Sequence, residues 1–183
     1  MWNQDELEII RKLDAAIRSA SAEIDIVVSR VEQEIAREPN EVLAWEPIPL
    51  TIYNIALPET IRSSWVFVLR AGTTTGAERH PNSHQRMMSY RGSGDFQTKP
   101  SDEWNSNLLV SDLEDPPEKR WISIPANIWH QGVIGAENWV VVSFHTVTDS
   151  DLIEERPCND FSGNLVRRNY ISDESSEVQH PMT

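Results

Sequence analysis

Between Gly72 and Gly92 the chain reads GTTTGAERHPNSHQRMMSYRG, and four side chains able to hold a cation or move a proton fall inside it: Glu78, His80, His84 and Gln85. Glu78 and His80 are two apart, so on an extended segment their side chains leave the same face. The turn-forming PNSH reverses the chain, and the head of the next strand, Gln85 or its neighbour His84, can point back into the same space. A further histidine, His130, closes the run PANIWH (125–130). Two imidazoles with a carboxylate suit Fe(II), Mn, Ni, Co or Zn. Ligands from three strands leave one side of an ion open, as metal catalysis requires. Taken singly, each of these residues is an ordinary polar side chain of a loop between strands. Only the combination argues for ligation.

Other candidates follow from strand alternation. Gln85, Met87 and Ser89 share a face, which puts Met87 and Ser89 along a cavity as substrate-lining residues. Tyr53, Trp65 and Trp121 can wall such a pocket or fill the core, with the core the simpler home. Arg79 and Arg86 alternate away and read as surface charges, and Trp129 points away from the metal side. His145, in VVVSFHTV, reads as a packed strand residue, and His180 lies in the tail. Glu78 and His84 are the candidates for moving a proton. No glycine-flanked elbow activates a serine, and no glycine loop cradles a phosphate.

The elements that position these residues start with a helical stretch over 3–38. Asn3 can cap it, Asp5 and Glu6 suit its first turn, and Ile10, Leu13, Ile17, Ala20, Ile24, Val27 and Val31 form one apolar stripe. Small residues at 19–22 can split it in two, and Pro39-Asn40 ends it. The stripe can cover its own domain or build a coiled coil, with the former preferred. From Pro47 short strands take over: 61–70, 85–92, DFQT (95–98), 107–111, 120–124 and 138–147, separated by turns such as EDPPEK and GAEN. Regularly spaced strands without helices between them indicate an antiparallel sandwich or barrel. Beyond Ile153 the chain turns polar and ends in the acidic SDESSEVQHPMT, which reads as a loose tail.

The spacing from Gly72 resembles the first motif of the cupin superfamily: glycine, five spacers, His-x-His, three or four spacers, an acid, six spacers, glycine. Glu78 stands where the first histidine is usual and Gln85 where the glutamate is usual. Pro125-x-Asn127-x-x-His130 is similar to the Pro-x-Gly-x-x-His core of the second motif. Asn127 replaces the glycine, and asparagine is the residue other than glycine that best tolerates a left-handed turn. The leading glycine and closing asparagine of that motif are missing. The likeness covers about 60–147. It implies a mainly β fold: a single cupin barrel (double-stranded β-helix, or jelly roll) over 41–153, with an N-terminal helical extension (1–40) and a C-terminal extension (154–183).

The resemblance also implies a divalent metal ion, with Fe2+ favoured, held by His80, His130, Gln85 and Glu78, and a small-molecule substrate. Glutamine is a fourth ligand among small cupins, including the type that linearises unsaturated uronates. A Glu–His–Gln–His set carries one negative charge, as His–His–Glu–His does, so the double exchange keeps the charge balance. Three activities are open: a non-haem iron oxygenase, a non-oxidative isomerase or lyase on a sugar-derived or keto acid, and a sensor that binds a small ligand without catalysis. A homodimer is the superfamily's default.

The bulk properties narrow the partners. The 183 residues carry sixteen basic against twenty-nine acidic side chains, a formal charge of −13. Such a surface repels phosphate backbones and anionic membranes, which argues against nucleic acid or a membrane as partner. One cysteine, Cys158, forbids an internal disulfide and suggests a reducing compartment. With an acidic N-terminus and no long apolar run, a soluble cytoplasmic protein is expected.

Overall fold

The structure is a computed structural model that describes residues 2–158 and 164–171 and the backbone of 175–178. Two helices open the chain, α1 (Gln4–Ser19) and α2 (Ser21–Arg37). The Asn3 side chain accepts the Glu6 amide at 2.8 Å, which is the expected cap. Ala20 leaves helical geometry between them, its N–H shared by the Ala16 and Ile17 carbonyls. The whole apolar stripe from Ile10 to Val31 is buried. The stripe covers its own domain, so no coiled coil is needed to hide it.

The strands in chain order are β1 (Leu43–Pro47), β2 (Ser63–Leu69), β3 (Gln85–Arg91), β4 (Ser93–Lys99), β5 (Leu108–Val110), β6 (Trp121–Ile124), β7 (Trp129–Ile134), β8 (Trp139–His145), β9 (Ile153–Pro157), β10 (Leu165–Asn169) and β11 (Ser175–Val178), with a single turn, α3 (Pro117–Arg120), before β6. One antiparallel sheet runs β1-β2-β8-β3-β6. Two three-stranded sheets, β5-β4-β7 and β11-β10-β9, form the other wall. The extended segment 74–79 joins those two, through bridges Thr74↔Val133 and Glu78↔His130 on the β7 side and Arg79↔Glu155 on the β9 side.

Alternation along the five-stranded sheet supplies two cores. Trp65, Phe67, Leu69, Met87 and Val141 face inward and pack with Phe96, Leu109 and Ile134 of the opposite wall. Val66, Val68, Met88, Val140 and Val142 face outward under the helices. Both faces of β2 and β8 are therefore buried, which is why WVFVL and WVVVSF read as continuous apolar runs and not as alternating ones. Gly94 in β4 has no room for a side chain: a Cβ there would lie 2.3 Å from the Trp139 ring.

The mainly β architecture with a helical extension is as expected. β1, β7 and β9–β11 were not read from the sequence, because they are short, irregular in alternation or rich in charge. Tyr53 is not a cavity residue: it lies in the helix-side core, its hydroxyl 2.6 Å from Ser64 Oγ and its ring against Phe144. Arg86 is not a surface charge either. It is buried and grips Glu6 of α1 with two hydrogen bonds, at 2.7 and 2.8 Å. No described helix is long and apolar enough to cross a membrane.

Asp14 fastens the other end of α1. Its carboxylate accepts from Arg120 Nη1 at 2.5 Å, Trp121 Nε1 at 3.0 Å and Arg18 Nε at 2.9 Å. Burial would raise the Asp14 carboxyl, but these donors outweigh it and hold it below the usual carboxylate range. The stabilisation is thus present above about pH 4 and lost as the pH falls through the lowered value. Arg120 is almost fully buried, so removing its partner leaves an uncompensated charge. Asp14→Ala is expected to lower unfolding free energy by about 3 kcal/mol in urea denaturation at pH 7, and adding Arg120→Met should restore much of the loss.

Candidate metal centre

The centre is built where segment 74–79 crosses β7. Glu78 and His130 exchange both backbone hydrogen bonds, Glu78 N to His130 O at 2.9 Å and His130 N to Glu78 O at 2.8 Å. That reciprocal pairing sets the two residues directly opposite, with both side chains on one face. His80 follows two residues on, and its carbonyl accepts the Asn127 amide at 2.8 Å. Asn127 has a φ of 69°, the left-handed turn expected of a residue in the glycine's place. Donor atoms of Glu78, His80 and His130 all lie within 4.8 Å of one another. The rings of His80 and His130 are 5.2 Å apart between centroids, and Phe96 stacks on His130.

Tautomers are fixed from behind. His80 Nδ1 lies 2.9 Å from the Ile153 carbonyl and His130 Nδ1 lies 2.9 Å from the Ile128 carbonyl. A carbonyl only accepts, so each Nδ1 carries a proton and each ring's Nε2 is the nitrogen left for the centre. His130 Nε2 is buried without a hydrogen-bond partner, and 3.5 Å from it stands Glu78 Oε1, another electron-pair donor. Two donors of electron pairs facing each other in a buried site call for a cation, or a proton, between them. The residues fit a divalent ion: two imidazoles oriented by backbone carbonyls, and one carboxylate.

Gln85 heads β3 and sits opposite His145 of β8. Its Nε2 donates to Ser143 Oγ at 3.0 Å, and its Oε1 is buried with no partner, a second orphan acceptor. Glu78, Gln85, Met87, Phe96, Val141 and Tyr170 line a cavity of about 30 Å³. That is enough to hold a water molecule.

The other expected residues are placed elsewhere. His84 leaves the opposite face of the strand from Gln85. Its Nε2 lies 2.7 Å from Ser123 Oγ and 3.9 Å from Glu6, beneath α1, so alternation removes it from both proton transfer and ligation at this centre. Ser89 does not line the cavity. It is fully buried, donating to the Gly92 carbonyl and accepting Trp139 Nε1 at 2.8 Å. Arg79 pairs with Glu155 at 2.7 Å with its guanidinium over Trp129. His180 lies outside the described residues.

Sequence reasoning missed three neighbours. His145, read as packing, is buried 5.1 Å from His80 between centroids, its nitrogens 3.2 Å from Ser83 Oγ and 3.1 Å from Ser143 Oγ. The signal was present, since His145 shares the inward face with Val141 and Ser143. Arg156 and Glu154 come from the stretch read as polar extension. Arg156 Nη2 donates to Glu78 Oε2, Nη1 to the Thr75 carbonyl at 3.0 Å, and Nε to Glu154 at 2.8 Å. No motif marks them.

The charges follow from these contacts. Burial would raise Glu78, but His130 and Arg156 outweigh it and hold the carboxylate ionised far below its usual range. Burial, then the neighbouring His130, lowers His80 to about 4. Burial likewise holds His145 well below the ordinary histidine range, with His80 and His130 adding to it. Burial and the nearby Glu78 raise Glu154.

No protein-family model matches the sequence, and no curated protein matches it. Solved structures do match. The sugar phosphate isomerase of the cupin superfamily from Silicibacter pomeroyi aligns with a TM-score of 0.50 at 12% identity, over 78% of this chain and 81% of that one. The capsular polysaccharide assembling protein CapF from Staphylococcus aureus aligns with a TM-score of 0.46 at 15% identity, over 60% of this chain and 27% of that one. An oxalate oxidase in complex with glycolate aligns with a TM-score of 0.45 at 14% identity, over 59% of this chain and 52% of that one. The chain thus spans under a third of CapF and about half of the oxidase. Its two walls and the likeness to the first of these structures, over about four-fifths of each chain, point to one fold. The chain has the cupin fold.

The neutral His80 carries a stability consequence in chelator-treated protein. An unfolded histidine takes up its proton near pH 6.5 while folded His80 resists until about 4, so the unfolded state binds more protons between these values and stability falls as pH drops through them. The expected loss is about 3 kcal/mol by denaturant titration at pH 7 and pH 4. His80→Gln should flatten the pH 4–6.5 part of the curve. An unchanged slope would refute the assignment.

Proposed function

We propose that this protein is a metal-dependent cupin enzyme in which Glu78, His80 and His130 hold one divalent cation and Gln85 completes the set. The observation that supports it is the buried meeting of His130 Nε2 and Glu78 Oε1, with both imidazole tautomers pinned by backbone carbonyls. Gln85 Oε1, buried and unpartnered, is suited to be the fourth donor. When bound, such an ion supplies open positions for a small ligand and Lewis acidity toward it.

Two imidazoles and one carboxylate favour ferrous iron and oxygen chemistry, so a non-haem iron oxygenase acting on a small organic substrate is the first reading. The inner cavity of about 30 Å³ agrees with it, being sized for a very small molecule beside the ion. This chain's residues do the rest. Ile153 and Ile128 hold the two ring protons, Arg156 keeps Glu78 ionised and turned inward, and Phe96, Met87 and Tyr170 keep bulk water out. A non-oxidative isomerase or lyase on a sugar-derived or keto acid is the second reading, favoured by the neutral amide of Gln85 in the ligand set.

Elemental analysis of protein purified without added metal separates these. Iron with substrate-dependent O2 uptake supports the oxygenase, and an air-indifferent manganese, nickel or zinc protein supports the second reading. No metal after supplementation would overturn both and leave a ligand-binding sensor. His130→Ala should cut metal content at least tenfold with its circular dichroism unchanged, since wall packing does not use the ion; full occupancy would refute the site. Gln85→Ala should weaken cation affinity about tenfold, and His84→Ala should leave it unchanged.

A further inference from the structure

The inner cavity, at about 30 Å³, is far smaller than the usual small-molecule site, and a pocket of about 510 Å³ adjoins it. Thr75 lines both. The outer pocket's lining also includes Gly76, Glu154, Arg156, Val166 and Arg168, and its volume falls in the range of small-molecule sites. The Arg156 guanidinium links the two spaces: it lines the outer pocket, Nη2 reaches inward to Glu78 of the inner cavity, and Nη1 and Nε stay on Thr75 and Glu154. In a chain of formal charge −13, this pocket's lining carries two arginines against one glutamate. Arg168 is 42% exposed there, with Nε on Glu154 at 2.8 Å.

Resting on the metal-site reading above, we propose that the outer pocket seats the oxyanion of a small acidic substrate, a carboxylate or phosphate, gripped by Arg156 and Arg168, and that Arg156 couples this seat to the metal centre. A cation on Glu78 offsets the negative charge that draws Nη2 inward, so the guanidinium becomes available to the anion. An anion that draws Arg156 outward in turn frees Glu78 Oε2 for the cation. The two ligands therefore favour each other, and the effect is reciprocal. Arginine suits the task because its fork matches the two oxygens of either oxyanion.

The test is calorimetric titration with malonate and, separately, inorganic phosphate, on chelator-treated protein and on Zn(II)-loaded protein, for the parent, Arg156→Gln and Arg168→Gln. The parent should bind at least one probe without metal, and whichever binds identifies the oxyanion. Either variant should lose tenfold or more in affinity. Zn(II) loading should tighten parent binding about 5–150-fold, the usual range for coupled sites, and Arg156→Gln should lose that gain. No binding of either probe by the parent, or unchanged affinity in both variants, overturns the seat. A gain retained in Arg156→Gln reports direct chelation and overturns the coupling. Arg168, half exposed, keeps the test informative where Arg156→Gln unfolds. Failure of the parent to take up zinc would count against the metal site alone, since the metal-free titrations still decide the pocket.

Discussion

One backbone pair organises this protein's chemistry: the reciprocal hydrogen bonds between Glu78 and His130. They hold an extended segment against β7 and, by the geometry of antiparallel pairing, bring a carboxylate and an imidazole to the same side at short range. Two carbonyls behind the histidines then decide where the protons sit. Everything distinctive at the centre, from the buried lone pairs to the ionised Glu78 and neutral His80, follows from that arrangement in a volume with little water.

Much of this was legible in the sequence, and the reasons it was legible are physical. Period-two spacing of Glu78 and His80 survives in any extended backbone, irrespective of which strand it pairs with. Asn127 could be placed in a left-handed turn because few residues accept one, and its φ of 69° agrees. The helix stripe from Ile10 to Val31 was readable because 3.6-residue periodicity needs no partner to be recognised. Gln85 and His84 were inseparable until the strand register was known, since a slip of one residue exchanges the faces.

What stayed hidden depends on pairing between distant segments. Arg156 and Glu154 have no local pattern, and their roles arise only because β9 is laid beside residues 74–79, more than seventy positions earlier. Arg86, read as a surface charge, was misassigned for a related reason. The five-stranded sheet has a buried layer on each side, so facing away from one core means joining another and not reaching solvent. Alternation gives the face; it does not say what covers it.

The wall around residues 74–79 has one more property. Side chains there sort into two ionic rows on opposite sides of the sheet. One runs from Trp129 through Arg79 and Glu155 to Arg167, and the other from Glu78 through Arg156 and Glu154 to Arg168. Mobile ions screen a row in proportion to how much of it they reach. The half-exposed terminal arginines of both rows feel added electrolyte first, while Glu155 at 3% exposure and Glu154 at 1% are shielded. Ionic strength thus acts on this fold from β10 inward, reaching the arginines before the carboxylates they cover.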